Sequence, residues 1–494
     1  MKFLLKNKWL AILLVLVFGV IIYNTFPATP EYPSANIMAA LVFVMAFFWL
    51  MELIPIPITS MFPLLFFPLL GINTLKNTAV FYGKPIIFLF LGGLILAQAL
   101  QKTNLHKRIA LNILNLIGTK FSGLLLGFMV ATAFLSMWIA NTASVMVMMP
   151  IGLSIISTIK EVNSNSKLMQ RFTITILLSI AYAADIGGMA TLIGTPPNMV
   201  FVELQAQLFP DLKPTGFSEW FIMGIPISIT FLLLGWLTLK WLFKIPAVKA
   251  IEDKNIIKDE LKKIKTITLN EKIAGFIFAL TALLWMFGND ITLSEHFTIK
   301  GWRSLWNLKE VTDPSIAVGA AILLFVIPGK HSKPVLAWED VQTLPWGMLL
   351  LFGGGFALAG GFETTGLSNL LGNVIGNLTF SHPLVAIMAV CILLTFLTEF
   401  TTNTATTTLI LPILAKASVL LGLDPRALMI PATLSASCAF MTPIASPTQT
   451  IIFGTGEVSI KQMMRAGIFF NIIGIFIVSV IFYFLSGWVF GIVY

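Results

Sequence analysis

Long apolar runs separated by short polar connections set the pattern of this chain. Runs of roughly 17–25 residues recur from end to end, each long enough to cross a ~30 Å hydrocarbon core. With no water there to satisfy backbone groups, such runs must be helices. The pattern predicts crossings near residues 9–26, 36–53, 58–72, 85–101, 172–209, 220–245, 270–287, 314–330, 345–362, 427–460 and 466–492. Two further apolar stretches, 121–157 and 383–416, are nearly twice a span long and hold a polar knot at the middle. That pattern predicts re-entrant hairpins, whose tips are tolerated at depth only when buried in protein or facing a water-filled cavity. Crossings 172–209 and 427–460 carry Pro and Gly at their centres and are expected to be broken mid-membrane.

The pattern repeats. Phe90-Leu91-Gly92-Gly93 matches Phe352-Gly353-Gly354-Gly355, Leu96-Ala97 matches Leu358-Ala359, and Thr103 and Leu105 match Thr365 and Leu367. Asn141-Thr142-Ala143 matches Asn403-Thr404-Ala405, and Pro150 matches Pro412. All these pairs share an offset of 262 residues (352 against 90, 403 against 141, 412 against 150). Gly194-Thr195-Pro196 matches Ala445-Ser446-Pro447 at offset 251. Duplicated halves with discontinuous helices are the architecture of secondary transporters. The expected organisation is a first helix and outer loop over 1–35, a first repeat over 36–245, a Lys-rich linker over 246–269 and a second repeat over 270–494. Each repeat holds five crossings besides its hairpin, and an odd number inverts the second relative to the first.

Composition agrees with a membrane bundle. The chain has 494 residues, 57% of them hydrophobic and 11% charged, and a mean hydropathy of +0.92. A soluble protein carries about twice that charged fraction. The run from Trp9 to Phe26 follows Lys2, Lys6 and Lys8 and is expected to be an anchor rather than a signal peptide, because it is longer than an ordinary signal core. The net charge of +9 does not indicate nucleic acid, since eight lysines lie in the 244–272 segment. Such loops face anionic lipid and lie in the cytoplasm. Eleven crossings then put the N-terminus inside and Tyr494 outside. Compact loops suit a bacterial inner membrane. Cys391 and Cys438 lie in apolar segments and are expected to pack rather than to bridge. His106, His296, His331 and His382 lack metal-ligand spacing. The Gly353-Gly354-Gly355 run has no following Lys-Ser/Thr and reads as close helix packing, not a phosphate loop.

The chemistry lies in the two polar knots, Ser136-Met137-Trp138-Ile139-Ala140-Asn141-Thr142 and Thr398-Glu399-Phe400-Thr401-Thr402-Asn403-Thr404. An Asn side chain offers an acceptor to a cation and donors to an anion, and a Thr hydroxyl does either. At a hairpin tip the second arm presents free N–H groups to negative charge, while the first arm ends in free carbonyls. An ordinary N-cap explains one Asn-Thr, but not two in register at the midpoints of double-length stretches. The second pair of sites is Thr191-Leu192-Ile193-Gly194-Thr195-Pro196-Pro197-Asn198 and Thr442-Pro443-Ile444-Ala445-Ser446-Pro447-Thr448-Gln449. Proline frees a carbonyl and glycine allows close approach, which makes oxygen cages suited to a hard cation. Residues 121–159 and 427–456 contain no Asp, Glu, Lys or Arg, 172–201 contain Asp185 alone and 383–415 contain Glu399 alone. A di-anion at this depth faces a large desolvation cost with no Arg or Lys to offset it. Bound cations must supply the remainder, so cation coupling is expected. Asp185 and Glu399 are either proton carriers or hydrogen-bonding supports of the site.

These motifs together resemble the divalent anion–sodium symporters, which carry dicarboxylates, citrate or sulfate. The resemblance covers nearly the whole chain. It implies an all-α polytopic fold of about eleven transmembrane helices plus two re-entrant hairpins, working as an elevator-type homodimer. It further implies that Asn141, Thr142, Asn403 and Thr404 contact substrate carboxylates, with Thr195, Ser446 and Pro447 beside them. One sodium would lie among Ser136, Ala140, Asn141 and Gly194, and another among Thr398, Thr401, Asn403 and Ala445. The family pattern at both tips is Ser-Asn-Thr, whereas this chain has Ala140-Asn141-Thr142 and Thr402-Asn403-Thr404. Ala140 offers a carbonyl but no hydroxyl.

The expected function is sodium-coupled symport of a C4-dicarboxylate. A sodium-independent dicarboxylate exchanger and a sulfate or tricarboxylate symporter are the alternatives within the class. An enzyme would need a clustered His, Asp or Ser constellation, and the sequence has two isolated acids instead. An anion channel fits broken, inverted helices less well than a carrier does.

Overall fold

The computed structural model describes residues 8–117, 120–162, 165–246, 255–264, 266–294, 297–376 and 380–494. The first half runs through α1 (Lys8–Thr25), α2 (Ala35–Met51), α3 (Pro85–Lys102), α4 (Leu105–Ile117), α5 (Phe121–Ser136), α6 (Asn141–Val162), α7 (Ser166–Gly188), α8 (Pro196–Leu208) and α9 (Phe217–Leu242). The second runs through α10 (Leu269–Met286), α11 (Asp313–Val326), α12 (Gly347–Thr364), α13 (Leu367–Gly376), α14 (Pro383–Thr398), α15 (Asn403–Leu420), α16 (Arg426–Ala436), α17 (Pro447–Phe453) and α18 (Ile460–Phe490). A small antiparallel ribbon, Ile291–Ser294 with Phe297–Ile299, lies between α10 and α11. Among the described residues, seven helices are long and apolar enough to cross a membrane.

Local chemistry sets the element ends. Pro85, Pro196, Pro383 and Pro447 each open a helix at its first position, where the missing N–H costs nothing. Ser459 and Gln462 form a reciprocal cap at the start of α18, and Gly491 ends it in the left-handed region at φ 69°.

Both stretches read as hairpins are a helix, a four-residue tip and a second helix: α5 and α6 around 137–140, α14 and α15 around 399–402. Both crossings expected to break do so: α7 stops at Gly188 before α8, and α16 stops at Ala436 before α17. The expected crossing over 58–72 is different. It is cut into Ile56–Thr59 and Phe62–Leu69, and eight residues reach only about 12 Å. Pro57, Pro63 and Pro68 account for the interruption. Two helices escaped the hydrophobic-run criterion. α4 and α13 begin at residues already matched as repeats, Leu105 and Leu367, and α4 buries one stripe (His106, Ala110, Leu111, Leu114) beneath a polar outer face. Asn255–Lys263 forms a further short helix inside the Lys-rich linker, of which 247–254 and 265 lie outside the described residues.

The packing centres on α7, whose residues from Phe172 to Gly188 are all buried. α9 and α18 lie against each other, and each also rides over one helix break. A glycine permits each crossing. A Cβ at Gly224 would fall 2.8 Å from the carbonyl oxygens of Met189 and Ala190, and one at Gly467 would fall 2.3 Å from that of Phe440. The Gly353-Gly354-Gly355 run packs on the Tyr82 ring, the Ser60 carbonyl and Thr408 in turn. Cys391 and Cys438 are buried free thiols.

The two glycines over the breaks should therefore be intolerant of bulk. Gly467→Val should lower stability by about 1–3 kcal/mol, read as a lower melting temperature in detergent. Gly319, exposed on α11 with nothing within 4 Å of an added Cβ, is the control. Gly319→Ala should leave the melting temperature unchanged or slightly raised.

Candidate functional site

At the first tip, α5 ends at Ser136 and α6 starts at Asn141, five residues on. The Ser136 hydroxyl donates to Asn141 Oδ1 at 2.7 Å. At the second tip Thr398 Oγ1 donates to Asn403 Oδ1 at 2.8 Å and also lies 2.9 Å from the Ala436 carbonyl oxygen. Each Asn is thus held by the hydroxyl that ends the preceding arm.

The breaks are latched to these tips. Thr191 donates its hydroxyl to the Met137 carbonyl and accepts the Gly194 N–H at 3.1 Å. Thr442 donates to the Glu399 carbonyl at 3.1 Å and accepts the Ala445 N–H at 3.2 Å. The residues that open the second segments adopt nearly the same backbone, Thr195 at φ −145°, ψ 142° and Ser446 at φ −141°, ψ 141°. Neither side chain caps its own helix.

The halves then diverge. Thr402 caps α15 by accepting the Ala405 N–H at 3.3 Å, and Thr401 bonds Thr406 hydroxyl to hydroxyl. In the first half these positions are Ala140, Ile139 and Ser144. Ser144 Oγ is buried without a partner among the described residues. The first half is also more tightly apposed at its break. A Cβ on Gly188 would lie 2.6 Å from Asn141 Oδ1 and 3.1 Å from the Gly194 carbonyl oxygen. The missing Cβ leaves a cradle edged by two neutral oxygens, with Ser136 Oγ behind them. At the corresponding second-half positions, Ala439 and Ala445, a Cβ is present.

Two buried acids complete the site. Asp185, 1% exposed on α7, accepts from Asn141 Nδ2 at 3.0 Å, Ser446 Oγ at 3.3 Å, Thr448 Oγ1 at 2.8 Å and Gln449 Nε2 at 3.4 Å. A first-half helix therefore binds the start of the second-half segment α17. Glu399, 3% exposed, accepts the successive N–H groups of Phe440, Met441 and Thr442 at 2.8, 2.9 and 3.1 Å, and Asn471 Nδ2 at 2.8 Å. Its carboxylate satisfies the backbone that the second break frees. Both acids act as hydrogen-bond acceptors that organise the two breaks.

Of the residues expected at the site, the structure groups Ser136, Asn141 and Gly194 around the Gly188 cradle, and joins Asn141 to Ser446 through Asp185. It groups Thr398 with Asn403, and Ala445 with Thr442. Thr142 and Thr404 lie in the first turns of α6 and α15. Thr195 and Pro447 flank the breaks. No hydrogen bond among the described residues links the Asn403 group directly to the Asn141 group. Gly188 and Asn471 are not singled out by the sequence, whereas Thr191, Thr442, Thr448 and Gln449 belong to the two Pro-containing segments expected to form oxygen cages, without individual roles. Thr191 and Thr442 carry a detectable signal, since both stand three residues before Gly194 and Ala445. Asn471 is an amide in the apolar middle of the long α18.

Comparison with known proteins identifies the family. The family described as the sodium:sulfate symporter transmembrane region matches residues 5–492. The sodium-dependent dicarboxylate transporter SdcS of Staphylococcus saprophyticus is 40% identical over 454 residues, which cover 90% of this chain and 85% of that protein. SdcS of Staphylococcus aureus is 42% identical over the same shares. Among solved structures, MtrF of Neisseria gonorrhoeae aligns with a TM-score of 0.54 at 14% identity, over 94% of this chain and 97% of that one. The YdaH transporter of Alcanivorax borkumensis gives the same score and identity over 86% and 88%. At that identity the likeness is one of fold. The family match across nearly the whole chain, with relatives at 40% identity and above, shows that this protein belongs to the sodium:sulfate symporter family of membrane transporters.

Proposed function

We propose that this protein is a secondary transporter that carries a C4-dicarboxylate such as succinate, fumarate or malate together with sodium. The observation that carries the reading is the duplicated Asn clamp, Ser136–Asn141 and Thr398–Asn403, set in segments that lack Lys and Arg. The names of the staphylococcal relatives support sodium and a dicarboxylate.

In this reading Asn141, Thr142, Asn403 and Thr404 receive the two carboxylates through amide and hydroxyl donors, with Thr195, Ser446 and Pro447 at the rim. One sodium binds among Ser136, Ala140, Asn141 and Gly194, and the other among Thr398, Thr401, Asn403 and Ala445. Neutral oxygens from carbonyls, amides and hydroxyls are the ligands a hard cation prefers. Each Asn then serves cation and substrate at once, which links their binding. The proposed cycle is an elevator movement of inverted repeats in a homodimer. The Lys-rich segments place the N-terminus in the cytoplasm, in the plasma membrane of a bacterium.

A second reading, sodium-independent dicarboxylate exchange, is favoured by one feature. Ala140 removes a hydroxyl from the first cation site and leaves α6 without its side-chain cap. Sulfate remains a competitor because the family description names it.

Radiolabelled succinate uptake into proteoliposomes should rise severalfold with an inward sodium gradient over a potassium control. Uptake that instead requires internal dicarboxylate identifies an exchanger, and inhibition by sulfate but not by fumarate identifies a sulfate carrier. Asn141→Ala and Asn403→Ala should each lower uptake at least about tenfold, the loss of one charge-assisted contact, with little change in melting temperature. Wild-type uptake in either variant would remove that residue from the site. Ala140→Ser should lower the half-saturating sodium concentration, and an unchanged value would show that the backbone carbonyl suffices.

A further inference from the structure

Asp185 has no counterpart in the second half. At the 251-residue offset that relates Gly194 to Ala445, the equivalent residue is Ala436. Ala436 offers the second tip its carbonyl oxygen, through Thr398, and no charge. Asp185 and Gly188 are three residues apart on α7 and so face the same tip. The carboxylate and the cradle that Asn141 closes are therefore on one surface.

The hydrogen bonds define what the carboxylate does. Oδ1 accepts from Asn141 and Ser446, and Oδ2 accepts from Thr448 and Gln449. All four partners are neutral donors, and no Lys or Arg among the described residues pairs with it. With its carboxylate ionised, Asp185 accepts at all four positions. An ionised, buried group with neutral partners alone is costly, and a nearby cation relieves that cost. The four bonds occupy its lone pairs, so it acts on a cation across Asn141 rather than as a ligand. Holding Asn141 by Nδ2 also determines which way the amide faces. Oδ1 is turned to Ser136 and to the Gly188 cradle.

We propose that Asp185 is the positioning residue and fixed countercharge of the first cation site, making it electrostatically unlike the second. This deepens the sodium-coupled reading and rests on it. The carboxylate aims Asn141 Oδ1 into the cradle, and its charge compensates for the hydroxyl that Ala140 lacks. At one side chain's distance a single charge in a site of intermediate dielectric changes cation affinity by about tenfold or more. Because Asp185 also binds Ser446 and Thr448 at the start of α17, sodium arrival at the first site is reported to the second half by the same group.

The test uses the full chain, purified and reconstituted, with sodium chloride titrated against potassium chloride. Asp185→Asn retains size and one acceptor oxygen while removing the charge, and Asp185→Ser is a smaller neutral replacement. Half-saturating sodium for succinate uptake should rise about tenfold or more in both. The succinate KM at saturating sodium should stay within about threefold of wild type, a split that general damage to the fold would not produce. Thermal stabilisation by sodium without substrate should move to higher concentration by the same factor. An unchanged half-saturating sodium in Asp185→Asn overturns the proposal. So does failure of both variants to fold, which would make Asp185 structural. Wild-type protein whose uptake and melting temperature ignore sodium would instead overturn the underlying functional reading, and that arm is read before either variant.

Discussion

Cutting a helix inside a bilayer exposes backbone groups that no water can satisfy, and the architecture here follows from how that debt is met. Each helix end frees up to four N–H or four C=O groups, and left unpaired in an apolar medium each costs several kcal/mol. The chain has two tips and two breaks at the candidate site. Thr191 and Thr442 bridge each tip carbonyl to each break N–H with one hydroxyl. Glu399 takes three successive N–H groups of the second break. Asn198 Nδ2 returns to the Gly188 and Thr191 carbonyls at 3.1 and 2.7 Å in the first. The polar residues of the site hold discontinuous backbone together before any ligand arrives.

That requirement explains why the halves agree where they do. The hydroxyl that ends each first arm, the Asn that starts each second arm and the Thr that latches each break occur in register because each meets the same backbone need. The halves differ where the need can be met in another way. The second break relies on the Glu399 carboxylate, while its counterpart in the first half is Met137. The first half replaces side-chain volume with contact, stacking Gly188 on Gly194, and recruits Asp185 from α7. Tyr182, one turn before Asp185, donates to the Phe440 and Met463 carbonyls at 3.1 and 3.3 Å. One face of α7 therefore binds the second break at two points, which joins the halves across the site.

Much of this was legible in the sequence because membrane constraints are severe. The tips at Asn141 and Asn403 and the breaks before Pro196 and Pro447 are visible as polar or Pro/Gly residues where a span should be uniformly apolar. A 262-residue register pairs the tips and a 251-residue register pairs the breaks. α4 and α13 were not legible by that criterion, since an amphipathic helix buries a stripe and has no continuous run. The expected crossing at 58–72 failed for the opposite reason: its apolar run is continuous, but its prolines interrupt the ladder. The partners of Asp185 and Glu399 were beyond reach. Asp185 meets residues more than 260 positions away, and Glu399 meets backbone N–H groups, which carry no sequence signature.

The electrostatics of the site also constrain the order of events in the proposed cycle. A di-anion approaching Asn141, Ser446 and Asn403 meets neutral donors in front and two buried acids behind, with no Lys or Arg in the tip and break segments. Amide and hydroxyl donors contribute on the order of 1 kcal/mol each after desolvation, too little to offset two unscreened negative charges at that depth. Cations reverse the balance: with sodium beside Asn141 Oδ1 and beside Asn403 Oδ1, each amide is polarised toward the substrate and the local field changes sign. On the proposed reading sodium therefore binds before the dicarboxylate. The side-chain oxygens that receive it are already held in place by Ser136, Thr398 and Asp185, so the cations order little more than themselves.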